Sequence, residues 1–383
     1  MKRELVLASA GAGKSTLIVQ QALDRVEAGE RVLILTYTER NQEELANRFC
    51  ELYSVVPSAV TIKGWFTFLL EDLIRPYQTC LFEERISGIH FNSSDPHRNG
   101  KYTIPGRSEK VAGRFNPRHF LTRKENKAHT TFLSKLAARI NALSGGAPIA
   151  RLSEIYGMVC IDEVQDLTGW DFEVIESIAG SGIGRLCCVG DFRQTLYFTH
   201  LGNKKPKGNS DKLARFNEIG LATEQLNISW RCIQAICNFA DLVHADEKTY
   251  EPTESKLKKV EPDCGDHLGV YVVRPDNAEA YLDKYAPTIL RTSRATKREL
   301  CEGRLAYNFG ESKGMGFNRV LICATGNHEE FLAGNKNAFA GGQTDRAKNA
   351  LYVAITRARY SAAFLYDGVV NLEGIEVWPT PED

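Results

Sequence analysis

The sequence has no apolar run approaching the roughly 18 residues that a membrane helix needs, so neither a span nor a membrane partner is expected. The apolar stretch at the start, within Met1 to Ala8, is too short for a secretory leader. There is no net charge: 48 Lys and Arg stand against 48 Asp and Glu. That excludes a polybasic protein, and any anionic partner must be met by a local patch. Ten cysteines include no CxxC pair, and several sit in apolar runs such as Leu186-Cys187-Cys188-Val189. This argues against a disulfide or zinc framework and for buried, reduced thiols in a cytoplasmic protein. Cys264 and His267 lie three apart but have no second ligand pair, so they are not read as a metal site. No internal repeat or low-complexity tract appears. With 43% hydrophobic and 25% charged residues, the 383-residue chain can bury the cores of two to three domains.

Short apolar segments at 4–8, 31–36, 158–161, 185–190, 288–290, 320–323 and 362–366 alternate with helix-like stretches. Such alternation predicts an α/β fold whose parallel sheets carry helices on both faces. Two segments break the pattern. Residues 97–139 hold eleven Lys and Arg against Glu109 and Glu125, a net charge near +9 inside a neutral chain. This is either a solvated surface insertion or a nucleic-acid-binding one, and the motifs below favour the second. Its candidate phosphate-binding cations are Arg114, Arg118, Arg123 and Lys124. Residues 199–215, with Lys204, Lys205, Lys207, Lys212 and Arg215, read as a basic loop. The tail 367–383 has five acids and no base, and is expected to be disordered or to contact a partner.

Three segments carry chemistry. Ala8-Ser9-Ala10-Gly11-Ala12-Gly13-Lys14-Ser15 follows a strand and opens a helix-like run over 16–28. The backbone N–H groups of Ala10, Gly11, Ala12 and Gly13 can close around a phosphate at a helix N-terminus. Lys14 would reach the β- and γ-phosphates, and the Ser15 hydroxyl would ligate Mg²⁺. In Met158-Val159-Cys160-Ile161-Asp162-Glu163-Val164-Gln165-Asp166, an apolar strand delivers two carboxylates to its C-terminal end, where parallel sheets bind ligands. Asp162 would hold Mg²⁺ through water, and Glu163 would orient and deprotonate the attacking water. Val189-Gly190-Asp191-Phe192-Arg193-Gln194 is a strand and polar turn in which Gln194 can sense a γ-phosphate. A small-molecule kinase would explain the first segment but not the second.

In order and spacing these segments resemble the UvrD/Rep family of superfamily 1 DNA helicases, over most of the chain. Five further stretches match that family's motifs: Leu35-Thr36-Tyr37-Thr38-Glu39-Arg40-Asn41, Thr61-Ile62-Lys63-Gly64-Trp65-Phe66, Asn227-Ile228-Ser229-Trp230-Arg231, Ser312-Lys313-Gly314-Met315-Gly316-Phe317 and Tyr352-Val353-Ala354-Ile355-Thr356-Arg357-Ala358. The resemblance implies two tandem RecA-like P-loop NTPase domains, at 1–225 and 226–383, with a small basic insertion at about 70–150 in the first. It implies ATP and Mg²⁺ as cofactors and 3′→5′ movement on single-stranded DNA or DNA with a single-stranded end. Arg231 and Arg357 would act as arginine fingers, a role suited to a rigid, always-charged guanidinium. Trp230, where the family has Tyr, would stack on the base, and Thr16 and Gly314 would complete the nucleotide contacts. Tyr37, Lys63, Trp65, Phe66, Tyr197 and Phe198 would grip the strand by stacking and phosphate contact, although plain core packing is an equal reading for the aromatics.

Four departures shape the expectation. The family's upstream adenine-reading glutamine motif is absent, and its Arg after the phosphate loop is Thr16, so base selectivity should be weak, with GTP or CTP used beside ATP. The family's stacking Trp falls at Thr199, and its ribose-contacting Glu falls at Gly316. The stretch from Arg231 to Asn308 is too short for the family's large accessory domain. This leaves two readings open: a motor that unwinds DNA, or a DNA-binding NTPase switch that controls a partner such as a nuclease or a phage-defence subunit. For either, charge reversal at Arg114, Arg118, Arg123 and Lys124 should weaken DNA binding by tens-fold and flatten its dependence on salt, as read by anisotropy titrations across a salt series. Binding unchanged at low salt would show that the patch serves something else.

Overall fold

The computed structural model describes residues 2–196, 204–340 and 344–378. The chain divides into two compact units. The first comprises Met1–Val6, Lys14–Gly190 and Tyr197–Glu224, and the second Leu7–Gly13, Asp191–Leu196 and Gln225–Asp383.

The strands of the first sheet are β1 (Lys2–Ala8), β2 (Val32–Thr36), β3 (Val60–Gly64), β4 (Met158–Ile161), β5 (Arg185–Gly190) and β6 (Ala222–Leu226), in the order β6-β1-β5-β4-β2-β3. The β5–β4, β4–β2 and β2–β3 pairings are parallel. Every residue of β2 and β4 is buried, the uninterrupted apolar pattern of strands covered on both faces. Helix α1 (Lys14–Glu27) buries Ile18, Val19 and Ala22. Helix α2 (Glu39–Tyr53) starts where the Thr38 hydroxyl accepts from the Asn41 amide, and ends at Ser54 in a left-handed turn with φ 69°. Because the strands run parallel, the turns after β2, β3, β4 and β5 leave the sheet at one edge, and this edge carries most of the sequence motifs.

The basic insertion contributes little sheet. Gly88–His90 pairs with Lys127–His129, and two short hairpins join Arg98–Asn99 to Tyr102–Thr103 and Lys110–Val111 to Arg114–Phe115. Part of its charge is neutralised internally, since Lys135 and Arg139 both bind Glu109 and Lys127 binds Glu125. Arg114, Arg118, Arg123 and Lys124 remain exposed. Helix α3 (Thr130–Leu143) then returns the chain to the core and buries Leu133, Leu136, Ala137 and Ile140. Helices α4 (Trp170–Ala179) and α5 (Asn209–Ile219) follow in the same unit.

In the second unit, β7 (Gly269–Val273), β8 (Thr288–Arg291), β9 (Ala306–Asn308), β10 (Phe317–Cys323), β11 (Ala358–Leu365) and β12 (Glu376–Val377) form a wholly parallel sheet in the order β9-β8-β10-β11-β7-β12. Helices α6 (Gln234–Leu242) and α7 (Thr344–Ile355) bury Ile236, Phe239, Leu351 and Tyr352 in one cluster with Val272, Leu290, Ile322 and Phe364. The acidic tail departs from expectation here. Glu376 and Val377 add a strand to the sheet edge, and Trp378 is buried edge-to-face against Tyr281, so apolar burial orders this part of the tail despite its charge. Among the described residues, no helix is long and apolar enough to cross a membrane. Eight of the ten cysteines are buried, and Cys50 and Cys80 are exposed.

β1 buries a charge. Glu4 is fully buried and binds both Arg185, at 2.8 Å to Nε, and Lys2. Burial raises its pKa, but the bonds from Lys2 and Arg185 outweigh that and hold the carboxyl below its ordinary 4.5. A depressed carboxylate contributes stability above its unfolded pKa and loses it as pH falls through the folded one. Glu4→Gln should therefore cost about 1–3 kcal/mol at pH 7, because it leaves the half-buried Arg185 guanidinium without its carboxylate. It should also flatten the stability profile below pH 4.5, as read by urea denaturation at stepped pH.

Candidate nucleotide site

In the first unit, the turn after β4 holds the two carboxylates. Asp162 donates its amide to the Leu35 carbonyl at 2.8 Å, extending the β4–β2 ladder, and its side chain is buried. The next residue turns sharply: Glu163 has φ 53°, a left-handed conformation that a non-glycine residue adopts only where its surroundings hold it. Lys14, at the start of α1, places its Nζ 3.1 Å from Glu163 Oε1, and the Gln165 amide donates to Glu163 Oε2. Both oxygens of the carboxylate are thus held. Burial first, and Glu163 second, push the Asp162 carboxyl up to about 7. Among the described residues, its Oδ1 is buried without a hydrogen-bond partner, and a cation could supply one. Ser15 lies next to Lys14, and its hydroxyl donates to Glu44 Oε1 at 2.8 Å. A hydroxyl and a carboxylate are the hard oxygen donors that suit Mg²⁺, which otherwise takes water and phosphate oxygens. Among the described residues, no group of three or more His, Cys, Asp or Glu converges as metal ligands. His267, near Cys264, instead stacks on Tyr271 and Tyr285.

In the second unit, the loop residues are tightly enclosed. Gly11 and Gly13 have φ 72° and 79°, and a Cβ on Gly11 would lie 2.5 Å from Arg231 Cβ. Ala10 donates its amide to the Tyr352 hydroxyl at 3.2 Å and accepts at its carbonyl from the Ser229 hydroxyl at 2.9 Å. Trp230 donates its amide to the Gly11 carbonyl, and its side chain is 49% exposed, so its ring is available for stacking. Gly314 is exposed in a left-handed turn with φ 82°, and Ala12 is buried.

Arg357 is 1% exposed. It donates to the carbonyls of Val353 and Met315 and, at 3.2 Å, to Gln194 Oε1. Gln194 in turn donates to Asp191 Oδ2 at 2.7 Å. Burial, with Arg231 nearby, pulls the Arg357 pKa down to about 9, so it remains charged at pH 7. Arg231 is half-buried, and its guanidinium makes no hydrogen bond or ion pair among the described residues.

The strand-gripping candidates divide. Tyr37, after β2, is half-buried and meets Phe66 edge-to-face at 5.6 Å. Phe66 meets Phe91 at 6.1 Å, and Phe91 is 73% exposed. Phe91 was not singled out from sequence, because nothing local marks a lone Phe in a loop. The Lys63 amine is held by Asp72 at 2.7 Å and Glu71 at 3.3 Å. Trp65 is a correction. It is 2% exposed, and its indole N–H donates to Asp171 Oδ1 at 2.8 Å, so its faces serve the core and cannot stack on a base. Tyr197 and Phe198, like Thr199, lie outside the described residues, and Thr16 is half-buried in the first turn of α1.

Sequence reasoning also passed over Arg193. It is buried between the rings of Tyr250 and Tyr352 and bound to Asp191, to Asp241 at 2.9 Å and to Ser9 at 2.8 Å. Gly190 has a role that its motif does not announce. A Cβ there would lie 2.4 Å from Gln165 Oε1 and 3.0 Å from Val164 Cγ1. Gly11→Ala, with a clash added to about 1–2 kcal/mol of left-handed strain, should slow nucleotide hydrolysis by about tenfold or more. Steady-state turnover measures this, and an unchanged kcat/KM would remove the loop from the site.

A family model described as an AAA domain matches residues 2–200. No curated protein matches the chain. Solved structures similar to it include the arterivirus nonstructural protein 10 helicase, at 15% identity and TM-score 0.44, with 95% of this chain and 59% of that chain covered. The same viral helicase solved with DNA gives 16% identity and TM-score 0.43 over 94% of this chain and 60% of that one. The chain thus spans about three fifths of the length of these structures. On the match over its first half, the chain belongs to the AAA domain family.

Proposed function

We propose that the protein is an ATP-dependent DNA helicase or translocase that couples hydrolysis to movement along single-stranded DNA, with the 3′→5′ polarity of the UvrD/Rep family it resembles. The observation that carries this reading is the Glu163 carboxylate, held by Lys14 and Gln165 at the end of a buried strand, beside an Asp162 oxygen without a partner. Glu163 is the base that orients and deprotonates the attacking water. Lys14 meets the β- and γ-phosphates, and the amides from Ala10 to Gly13 surround them. Ser15 and Asp162 would hold Mg²⁺, which when bound neutralises phosphate charge. Gln194 senses the γ-phosphate, and Arg231 and Arg357 supply positive charge to the transferring phosphoryl group. Trp230 stacks on the base, with Thr16 and Gly314 beside the nucleotide. Tyr37 and Phe66 stack on DNA bases, while the exposed insertion cations Arg114, Arg118, Arg123 and Lys124 track phosphates.

A second reading has its own support. Trp65 is in the core and the Lys63 amine is occupied by two carboxylates, which leaves a thinner strand grip than the motifs promise. This favours an NTPase switch subunit that binds DNA and controls a protein partner, such as a nuclease, without unwinding on its own.

Hydrolysis of ATP, GTP and CTP, with and without single-stranded DNA, on the wild type and Glu163→Gln, separates the readings. A motor should show strong stimulation by DNA and a loss of about 100-fold or more in the variant. Hydrolysis that ignores DNA would select the switch subunit.

A further inference from the structure

Lys212 was expected in an exposed basic loop. It lies instead in α5 with its side chain fully buried, where an ammonium is rarely found without a task. Its Nζ donates to the main-chain carbonyl of Gln165 at 2.5 Å. Gln165 is itself fully buried, and its side-chain amide donates to Glu163 Oε2. The other face of the Gln165 amide abuts Gly190, which leaves that side chain little room to turn. A second tie joins the segment before α5 to the far end of the carboxylate loop, since Gly169 donates its amide to the Pro206 carbonyl at 2.9 Å. A continuous relay thus runs from Lys212 through Gln165 to Glu163, whose backbone is strained at φ 53°.

We infer that Lys212 is a positioning residue for hydrolysis: by fixing the Gln165 main chain it sets the aim of the Glu163 carboxylate. The inference rests on the reading of Glu163 as the base. It assigns Lys212 no contact with nucleotide, so its loss acts on turnover and not on binding. Displacing a catalytic group by an ångström or so is enough to cost about 100-fold in rate.

The test is a double-mutant cycle. Lys212→Met keeps the length and apolar stem of the side chain and removes the donor. It should lower kcat by about 10- to 100-fold while KM and the affinity for a fluorescent ATP analogue stay within about threefold. In a Glu163→Gln background the same change should alter the residual rate less than about twofold, because the route through which Lys212 acts is already cut. Gln165→Ala breaks the relay at its middle without touching the buried amine, and should show the same kcat loss and the same non-additivity, which covers the case in which Lys212→Met does not fold. Losses that multiply in the double variants would mark a general destabilisation and overturn the inference. A wild-type rate in folded Lys212→Met, beside an inactive Glu163→Gln, would overturn the Lys212 assignment alone. A fully active Glu163→Gln would overturn the base assignment, and the inference with it.

Discussion

Two carboxylates in succession at the mouth of a buried strand repel each other, and burial worsens the repulsion by removing water. The first unit is arranged around that problem. Lys14 and the Gln165 amide each bind one oxygen of Glu163. Asp162 is less well served: its carboxyl is pushed up to about 7, and one oxygen has no hydrogen-bond partner among the described residues. The parallel strand that delivers the acids and the left-handed twist at Glu163 keep that arrangement in place. A helix running from Lys14 and a strand ending at Ile161 are the rigid elements that hold it.

The second unit meets the complementary difficulty, the burial of positive charge. Arg193 lies between two tyrosine rings and against two aspartates, and Arg357 is bound by two carbonyls and the Gln194 amide. Neither guanidinium is left to solvent, so each is fixed in orientation before anything binds. Arg231 is the contrast: it is half-buried, and among the described residues its guanidinium makes no hydrogen bond or ion pair.

What could be read from sequence was local. The turn glycines Gly11 and Gly13, the acids after β4 and the turn after β5 stood out because each sits at a fixed spacing behind an apolar run. The buried parallel strands were legible as apolar runs such as residues 32–35. What could not be read was set by partners far away in the chain. Trp65 looked like a strand-gripping ring, but Asp171, more than a hundred residues on, claims its N–H. Lys212 looked like surface charge, and only the i, i+4 spacing to Phe216, the other buried side chain of its helix, hinted that it points inward. Trp378 sat in an acidic tail whose charge masked an apolar anchor. In each case composition gave the residue's solubility and the fold gave its neighbour.

The contact between Gln165 and Gly190 has an evolutionary side. Gly190 is not among the left-handed glycines, so backbone conformation alone does not demand it; the space taken by Gln165 and Val164 does. Any side chain at 190 would have to displace the amide that binds the Glu163 carboxylate. The two positions belong to different segments of the chain, yet neither is free to drift alone. A lineage that gained an alanine at 190 would first need a smaller residue at 165 and another way of holding Glu163, so the path between the two states passes through a chain in which that carboxylate is held less firmly.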